Sequence, residues 1–530
     1  MSRCYDSPMI SARALMRTTK SSGVVATCVL ISLFGSALVL WGTRNGIGLW
    51  VDSASYIGAA NNLLAQRGLT LPFAGGEQFS ASAPLYALLL AGVGAAGFDV
   101  VQGARWTGAV FFGATMLVTG LAVFWYGRSK SVVPAITTLC VLLTPELIQL
   151  HEFALTEGLF LLTAMLGLIL LARYGDTAKK FFLFASGAMI ALACLTRYVG
   201  VVLIGTGIVG MLLDSRYPWR SRLKDSIVWS SACVMPLIVW ALTASATEQG
   251  PSPRALGWNR IPLWKFGLAA DVVRSWMLPE FIPSILFVVA VLAPVFLLAT
   301  RSQFVRELMF PSKPAALAAL PRLLALFNIL YACFLIAIIA FIEPATATNA
   351  RILAPAHLAT ILFAGCAWQR VEELSGHSRL HTFSRVCAVW ILLLCAVRFP
   401  DAFSRNRLVV SVDFTAKQWT ASPVMEQVKQ LPKTVRIYTN APEAVYLIAG
   451  RGSTALPKKW IPRMNRPNGR FQEEMAAMKN TVNQDAVFVY FNEMHRGFLP
   501  TKKELVDYFS LRTMVEVPDG FILKCPPAGG

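Results

Sequence analysis

FFLFASGAMIALACLTRYVGVVLIGTGIVGMLL, residues 181–213, is apolar throughout except near Arg197. As one helix rising 1.5 Å per residue it would be roughly 50 Å long, against a hydrocarbon core of about 30 Å. Two short spans turning at Thr196 to Tyr198 fit better, and they bring Arg197 to a membrane face, away from the midplane where a cation is costly. The choice matters beyond this stretch, because each added span reverses the side on which everything downstream emerges.

The surrounding composition agrees with a membrane environment. Of the 530 residues 55% are hydrophobic and only 15% charged, whereas charged residues make up about a quarter of a soluble domain. Further apolar stretches long enough to span lie at 24–42, 105–126, 132–149, 155–172, 226–246, 280–299, 321–342 and 352–368. The first follows Arg13, Arg17 and Lys20 but runs past Gly35 to Ala37, longer than the apolar part of a signal peptide, and reads as an uncleaved helix. Residues 83–98 are short and Gly-rich after Pro84, an interfacial or re-entrant segment. Residues 386–397 span only if Arg385 and Arg398 both snorkel.

Cytoplasmic loops carry the Lys and Arg excess. With the N-terminus inside, 83–98 interfacial, 181–213 split and 386–397 spanning, the basic loops around Arg128, Lys179, Arg220, Arg306 and Arg379 all fall on the N-terminal side. The expected fold is therefore an all-α polytopic membrane protein of about eleven transmembrane helices, residues 1–399, with a first outer loop at 43–103. It carries a small C-terminal α/β soluble domain, residues 400–530, on the extracytoplasmic side. In that tail a helical pattern covers 413–430, strands cover 434–440 and 485–491, a helix begins at Pro442, and a hairpin turns at Pro518 to Gly520. The formal charge of +19 belongs to these loops and implies membrane lipids, with no nucleic-acid partner. Five His, and no CxxC or HExxH, leave little material for a metal site, so no metal ligand is assigned and a divalent cofactor stays open.

Chemistry is expected on the outer face. Asp52 opens an amphipathic helix, either as its N-cap or as a general base at the membrane surface. In TPELIQLHEFALTEGLF (144–160) Glu146 and His151 read as solvated helix-end groups, whereas Glu157 lies in the first turn of a span, where an ionisable side chain is a functional candidate or a cap. Arg197 and Arg351 sit against apolar sequence, to snorkel or to hold a phosphate bidentately. The second outer loop interleaves Arg254, Arg260, Lys265 and Arg274 with Trp258, Trp264 and Trp276, an interfacial belt or a sugar-stacking lid.

Asp52 in its early outer loop, Pro84-Leu85-Tyr86, the Thr156 to Phe160 run TEGLF and the Leu195 to Tyr198 run LTRY together resemble the GT-C superfamily of polytopic glycosyltransferases. The nearest branch holds protein O-mannosyltransferases and lipid A aminoarabinose transferases, and IYTNAPEAVYLIAGR (437–451) is similar to a segment of bacterial relatives with an outer C-terminal domain. The resemblance implies a bacterial inner-membrane enzyme moving a hexose or pentose from a polyprenyl-phosphate sugar donor to a hydroxyl on a glycan, lipid or protein acceptor. Asp52 and Glu157 would be catalytic, with Arg197, Arg351, Tyr56, Tyr198 and Arg260 around the donor phosphate. One departure is plain: Ser53 follows Asp52, so the adjacent acid pair of mannosyltransferases is missing, which speaks against protein O-mannosylation. A lipid-linked substrate flippase, or a glycan ligase or polymerase, is the alternative. A flippase would be expected to show paired repeats and midplane polar residues, whereas most strong charges here gather at the outer edge and no repeat is visible.

Overall fold

The computed structural model describes residues 9–73, 79, 82–127, 131–245, 256–276, 302–309, 316–374, 385–386, 389–390, 392–394, 396–400, 413–482, 486–494 and 496–525. Among them, six helices are long and apolar enough to cross a membrane, and a seventh crossing is made if one bent pair counts as a span. The chain is a multi-pass membrane protein. The expected span at 280–299 lies outside the described residues, and 386–397 is described only in pieces. The count of eleven is therefore not reached here.

The bundle begins with α1 (Met9–Gly42), after which α2 (Val51–Leu64) and α3 (Leu85–Ala95) lie in the first loop. At 11 residues, α3 spans roughly 16 Å and is too short to cross. Next come α4 (Val100–Tyr126), α5 (Val133–Leu142), α6 (Pro145–His151) and α7 (Glu157–Thr177). The stretch expected as one span at 132–149 is instead α5 and α6 meeting at a 62° bend. Pro145 explains the break: it disfavours helix at Thr144, whose backbone is extended at φ −89° and ψ 106°.

Residues 181–213 divide as their length requires, into α8 (Lys180–Thr196) and α9 (Val201–Leu212), joined by a single 3-10 turn at Tyr198–Gly200. Arg197 caps α8 in extended conformation, φ −148° and ψ 132°. The turn closes tightly on Gly200, where a Cβ would stand 2.8 Å from Cys194 backbone atoms. α10 (Trp219–Ser245) and α11 (Leu263–Ser275) precede the helices Ser302–Met309, Leu320–Phe341 and Ala350–Leu374.

One apolar core runs through the bundle, including Phe112, Phe160, Trp229, Phe327 and Leu358. Trp229 of α10 fills the gap against α8 and α9: its indole donates to Ser186 Oγ at 3.3 Å, and its ring lies over Gly207, where a Cβ would come within 2.1 Å of it. The opposite end of the bundle from Arg197 is tied by ion pairs. Arg216 reaches Asp214 at 2.6 Å and Asp176 at 3.5 Å, and Arg322 reaches Asp214 at 3.4 Å.

The C-terminal region forms a five-stranded mixed sheet in the order β2-β1-β5-β7-β6. Its strands are β1 (Ile437–Thr439), β2 (Thr454–Ala455), β5 (Val487–Phe491), β6 (Arg512–Val517) and β7 (Gly520–Lys524), while β3 (Trp460–Ile461) and β4 (Arg466–Pro467) pair separately. β1 is parallel to both β2 and β5, and β7 is antiparallel to β5 and β6. The expected helix at 413–430 is broken into Lys417–Thr420 and Pro423–Gln430, because Pro423 forces a restart that Ser422 caps by accepting from Met425 N at 3.0 Å. Helices Phe471–Thr481 and Lys502–Phe509 were not expected from the sequence.

The Trp229 contact is testable. Gly207→Ala must displace the indole and should lower the thermal midpoint of the detergent-solubilised protein, at a cost of about 1–3 kcal/mol. Gly205→Ala, whose Cβ would meet nothing nearer than 3.9 Å, should be neutral or slightly stabilising.

Candidate active site

Antiparallel helices bring distant sequence positions to one end of the bundle: the end of α1, the start of α7, the end of α8 and the start of the Ala350–Leu374 helix all meet there. The first loop is held to that end by a short parallel bridge. Gly48 N donates to Glu152 O at 2.8 Å and Ala154 N to Gly48 O at 3.0 Å. Gly48 is needed for the close approach, since its Cβ would stand 2.5 Å from the Phe153 ring. The bridge draws α2, which carries Asp52, beside the start of α7, which carries Glu157.

Four charged side chains converge. Glu157 is the hub: its Oε1 accepts from both Arg197 Nη1 and Arg351 Nε. The same Arg351 donates from Nη2 to Asp52 Oδ2 at 2.7 Å. Arg197 Nη1 also reaches Thr156 Oγ1 at 3.3 Å, and Thr156 in turn donates to Glu157 Oε2 at 3.2 Å. The Arg351 guanidinium lies over the Trp50 ring, 4.6 Å from its centroid, a cation–π contact that orients its plane.

Exposure divides the two carboxylates. The Glu157 side chain is 3% exposed and that of Asp52 is 45% exposed. Glu157 thus lies beneath the arginines, where a buried charge requires paired partners, while Asp52 faces the open space above them. Asp52 is not the helix cap. Trp50 occupies that position, and its backbone N–H is satisfied by Ser53 Oγ at 3.0 Å. The Asp52 carboxylate is therefore left to Arg351. Nor does Thr156 cap α7 through its side chain, which is turned to Glu157 instead.

Tyr56, one turn along α2, is buried under Asp52 with its ring edge-on to Tyr86 at 5.4 Å and to Phe79 at 5.8 Å. Burial, and then the nearby Asp52 and Glu157 carboxylates, push its hydroxyl up to about 12, so it stays a neutral hydrogen-bonding group. Tyr198 accepts from Trp240 Nε1 at 3.1 Å, which fixes the α8–α9 turn against α10. Arg260 is exposed and, among the described residues, makes no hydrogen bond or ion pair with the cluster.

Several participants lack a local sequence signal. Trp50 is one. Lys265 is another, buried with its ammonium on the carbonyls of Pro344 at 2.5 Å and Thr346 at 2.7 Å, which clamps α11 to the turn before Arg351. Glu146 is not a solvated end group but is paired with Arg398, and His151 is buried with Nδ1 donating to Leu147 O at 2.6 Å. In the tail, Arg451 donates to four backbone carbonyls of residues 428–435. It is a structural staple of the loop in which it stands.

No family model matches the chain, and no curated protein matches it. Solved structures do. ArnT from Cupriavidus metallidurans bound to undecaprenyl phosphate superposes with a TM-score of 0.61 at 13% identity, covering 94% of this chain and 98% of that one. The chain has the fold of that structure. The archaeal oligosaccharyltransferase AglB from Archaeoglobus fulgidus, in complex with an inhibitory peptide and a dolichol-phosphate, gives 0.53 at 12% identity over 89% of this chain and 69% of that one. Arabinofuranosyltransferase AftD from Mycobacteria gives 0.52 at 12% identity, over 94% of this chain and 41% of that one. The chain thus shares its architecture with ArnT over 94% of its length.

The unequal burial of the two acids has a measurable consequence. Glu157→Gln leaves two arginines facing a neutral amide and should destabilise the solubilised protein by about 3–5 kcal/mol. Asp52→Asn should shift the thermal midpoint far less, and equal shifts for the two variants would contradict the hub arrangement.

Proposed function

We propose that this protein transfers a sugar from a polyprenyl-phosphate-linked donor to an acceptor hydroxyl in cell-envelope glycan or glycolipid assembly, with Asp52 as the general base. The observation that carries the reading is the Asp52–Arg351–Glu157–Arg197 chain, a half-exposed carboxylate joined by one guanidinium to a buried carboxylate and a second guanidinium. A phosphate ester leaving group needs fixed positive charge, and the acceptor hydroxyl needs one accessible base. Both are within one hydrogen bond of each other here. The fold shared with ArnT, which was solved with undecaprenyl phosphate, supports the donor class.

In the proposed reaction, the acceptor oxygen gives its proton to Asp52 and bonds to the anomeric carbon with inversion. The bond from that carbon to the phosphate oxygen breaks, and the polyprenyl phosphate departs against Arg351 and Arg197. The transition state has oxocarbenium character, so charge builds on the phosphate as the bond lengthens. Glu157 touches neither reactant in this scheme. It is a positioning residue that holds two like charges side by side, a narrower role than the catalytic one expected from its place in the sequence. Tyr56 and Tyr198 line and brace the cluster, and the exposed Arg260 is left as an outer donor contact. Arg351 already bridges the two acids. The scheme accordingly uses the arginines as its cations.

In the proposed topology residues 1–399 form the catalytic membrane part, and residues 400–530 form an extracytoplasmic domain on the same side as the cluster. The membrane is proposed to be a bacterial inner membrane with the N-terminus in the cytoplasm.

Asp52→Asn should lower the transfer rate with a polyprenyl-phosphate sugar by about 100-fold to 10,000-fold while leaving donor binding in place. Full activity in that variant would remove the base assignment. Arg351→Ala should weaken binding of undecaprenyl phosphate by about 10-fold to 100-fold, the worth of one charged hydrogen bond. Cys525 tests the sidedness. Burial raises its thiol above the usual range, so labelling of intact cells with an impermeant maleimide at mildly alkaline pH should succeed, and labelling only after lysis would place the domain inside.

A further inference from the structure

The C-terminal domain contacts the first loop at the residues next to the proposed base. Leu49 N donates to Asp413 Oδ1 at 3.2 Å, and Phe414 N donates to Leu49 O at 2.8 Å. Both backbone groups of one residue are thus held by two consecutive residues of the other domain. Asp413 is itself fixed, since the same Oδ1 accepts from Thr415 N at 3.0 Å and Thr415 Oγ1 at 2.7 Å. Trp50 follows directly, packing against both the bundle core and the core of the C-terminal domain while its ring supports Arg351. α2 is held at its other end as well, where Asn61 Nδ2 donates to Tyr446 OH at 2.8 Å and Phe73 packs on the Tyr446 ring at 5.9 Å.

We propose that Asp413 and the C-terminal domain are positioning elements of the active site: they fix the Leu49–Trp50 turn and so set where Asp52 and Arg351 stand relative to each other. The physical case is one of leverage. Asp52 is in the first turn of α2, and its carboxylate is half exposed and held by Arg351 through a single hydrogen bond. Its position is therefore inherited from the backbone of residues 49–51, and the first loop supplies only the Gly48 bridge on one side of that turn. The Asp413–Phe414 clamp supplies the other side. A displacement of about 1 Å in a reacting group can cost on the order of 100-fold in rate. A domain that touches neither donor nor acceptor can thus control turnover.

The proposal rests on Asp52 being the base, so the test reads position and turnover separately in the full-length protein. Hydrogen–deuterium exchange is measured over residues 47–55 and, as an internal reference, over residues 85–95, for the unaltered protein, Asp413→Ala and Asp413→Asn. Asp413→Ala should raise exchange in 47–55 and leave 85–95 unchanged. Asp413→Asn keeps the Oδ1 acceptor and should show the unaltered pattern. In the transfer assay, Asp413→Ala should lower kcat by about 10-fold to 100-fold with little change in KM for the donor or in binding of undecaprenyl phosphate, and Asp413→Asn should recover most of the rate. Unchanged exchange in Asp413→Ala, or an unchanged kcat in an otherwise active enzyme, would overturn the positioning role. So would a kcat loss that the Asn variant fails to restore. If the unaltered protein transfers no sugar from any polyprenyl-phosphate donor while the exchange pattern behaves as expected, the reaction assignment fails and the clamp on the loop stands.

Discussion

One carboxylate holds one end of the helical bundle together. Glu157 Oε1 accepts from Arg197 and Arg351, residues on two other helices. Two guanidiniums repel each other strongly in a medium of low dielectric, and they can stand together at the rim of a bundle only with a negative charge between them. Glu157 provides it at the cost of its own burial. The helix starts and ends that deliver these three groups must therefore be in register, and the 62° break between α5 and α6 and the Gly200 turn between α8 and α9 allow it.

The cluster is graded from inside to outside. Buried Glu157 orders the arginines, Arg351 passes the constraint to Asp52, and Asp52 alone keeps substantial access to solvent. A carboxylate in such a position is open to solvent yet oriented by a rigid partner. The surroundings lock the same cation from other directions. Trp50 lies against the face of Arg351, and Lys265 pins the turn that precedes it. The two sides of the molecule also differ in kind. At the end holding Asp176, Asp214, Arg216 and Arg322 the two acids are buried beneath their arginines, whereas at the other Asp52, though paired with Arg351, is 45% exposed.

The C-terminal region enters this arrangement through Asp413 and Phe414, which precede its first helix. Its contact with Leu49 uses one main-chain donor, one main-chain acceptor and one aspartate. Because a strand-like pairing of this sort does not depend on the identity of the residue at 49, it leaves almost no trace in the amino-acid pattern. The same holds for the Gly48 bridge, which only the absence of a side chain hints at.

The sequence by itself determined the membrane character, the division of residues 181–213 and the placement of Asp52, Glu157, Arg197 and Arg351 near the ends of their helices. Each of these follows from local chemistry: the cost of charge in hydrocarbon and the length of a helix against the bilayer. Only the tertiary structure decided which of those residues meet, that Glu157 lies below and Asp52 above, that Trp50 rather than Asp52 caps α2, and that Arg260 stands apart. The reason is geometric. Sequence spacing fixes the face and end of a helix on which a residue lies, but contacts between positions 52, 157, 197 and 351 depend on how separate helices pack, and that is set by the shapes of buried side chains around Trp229, Gly48 and Gly200.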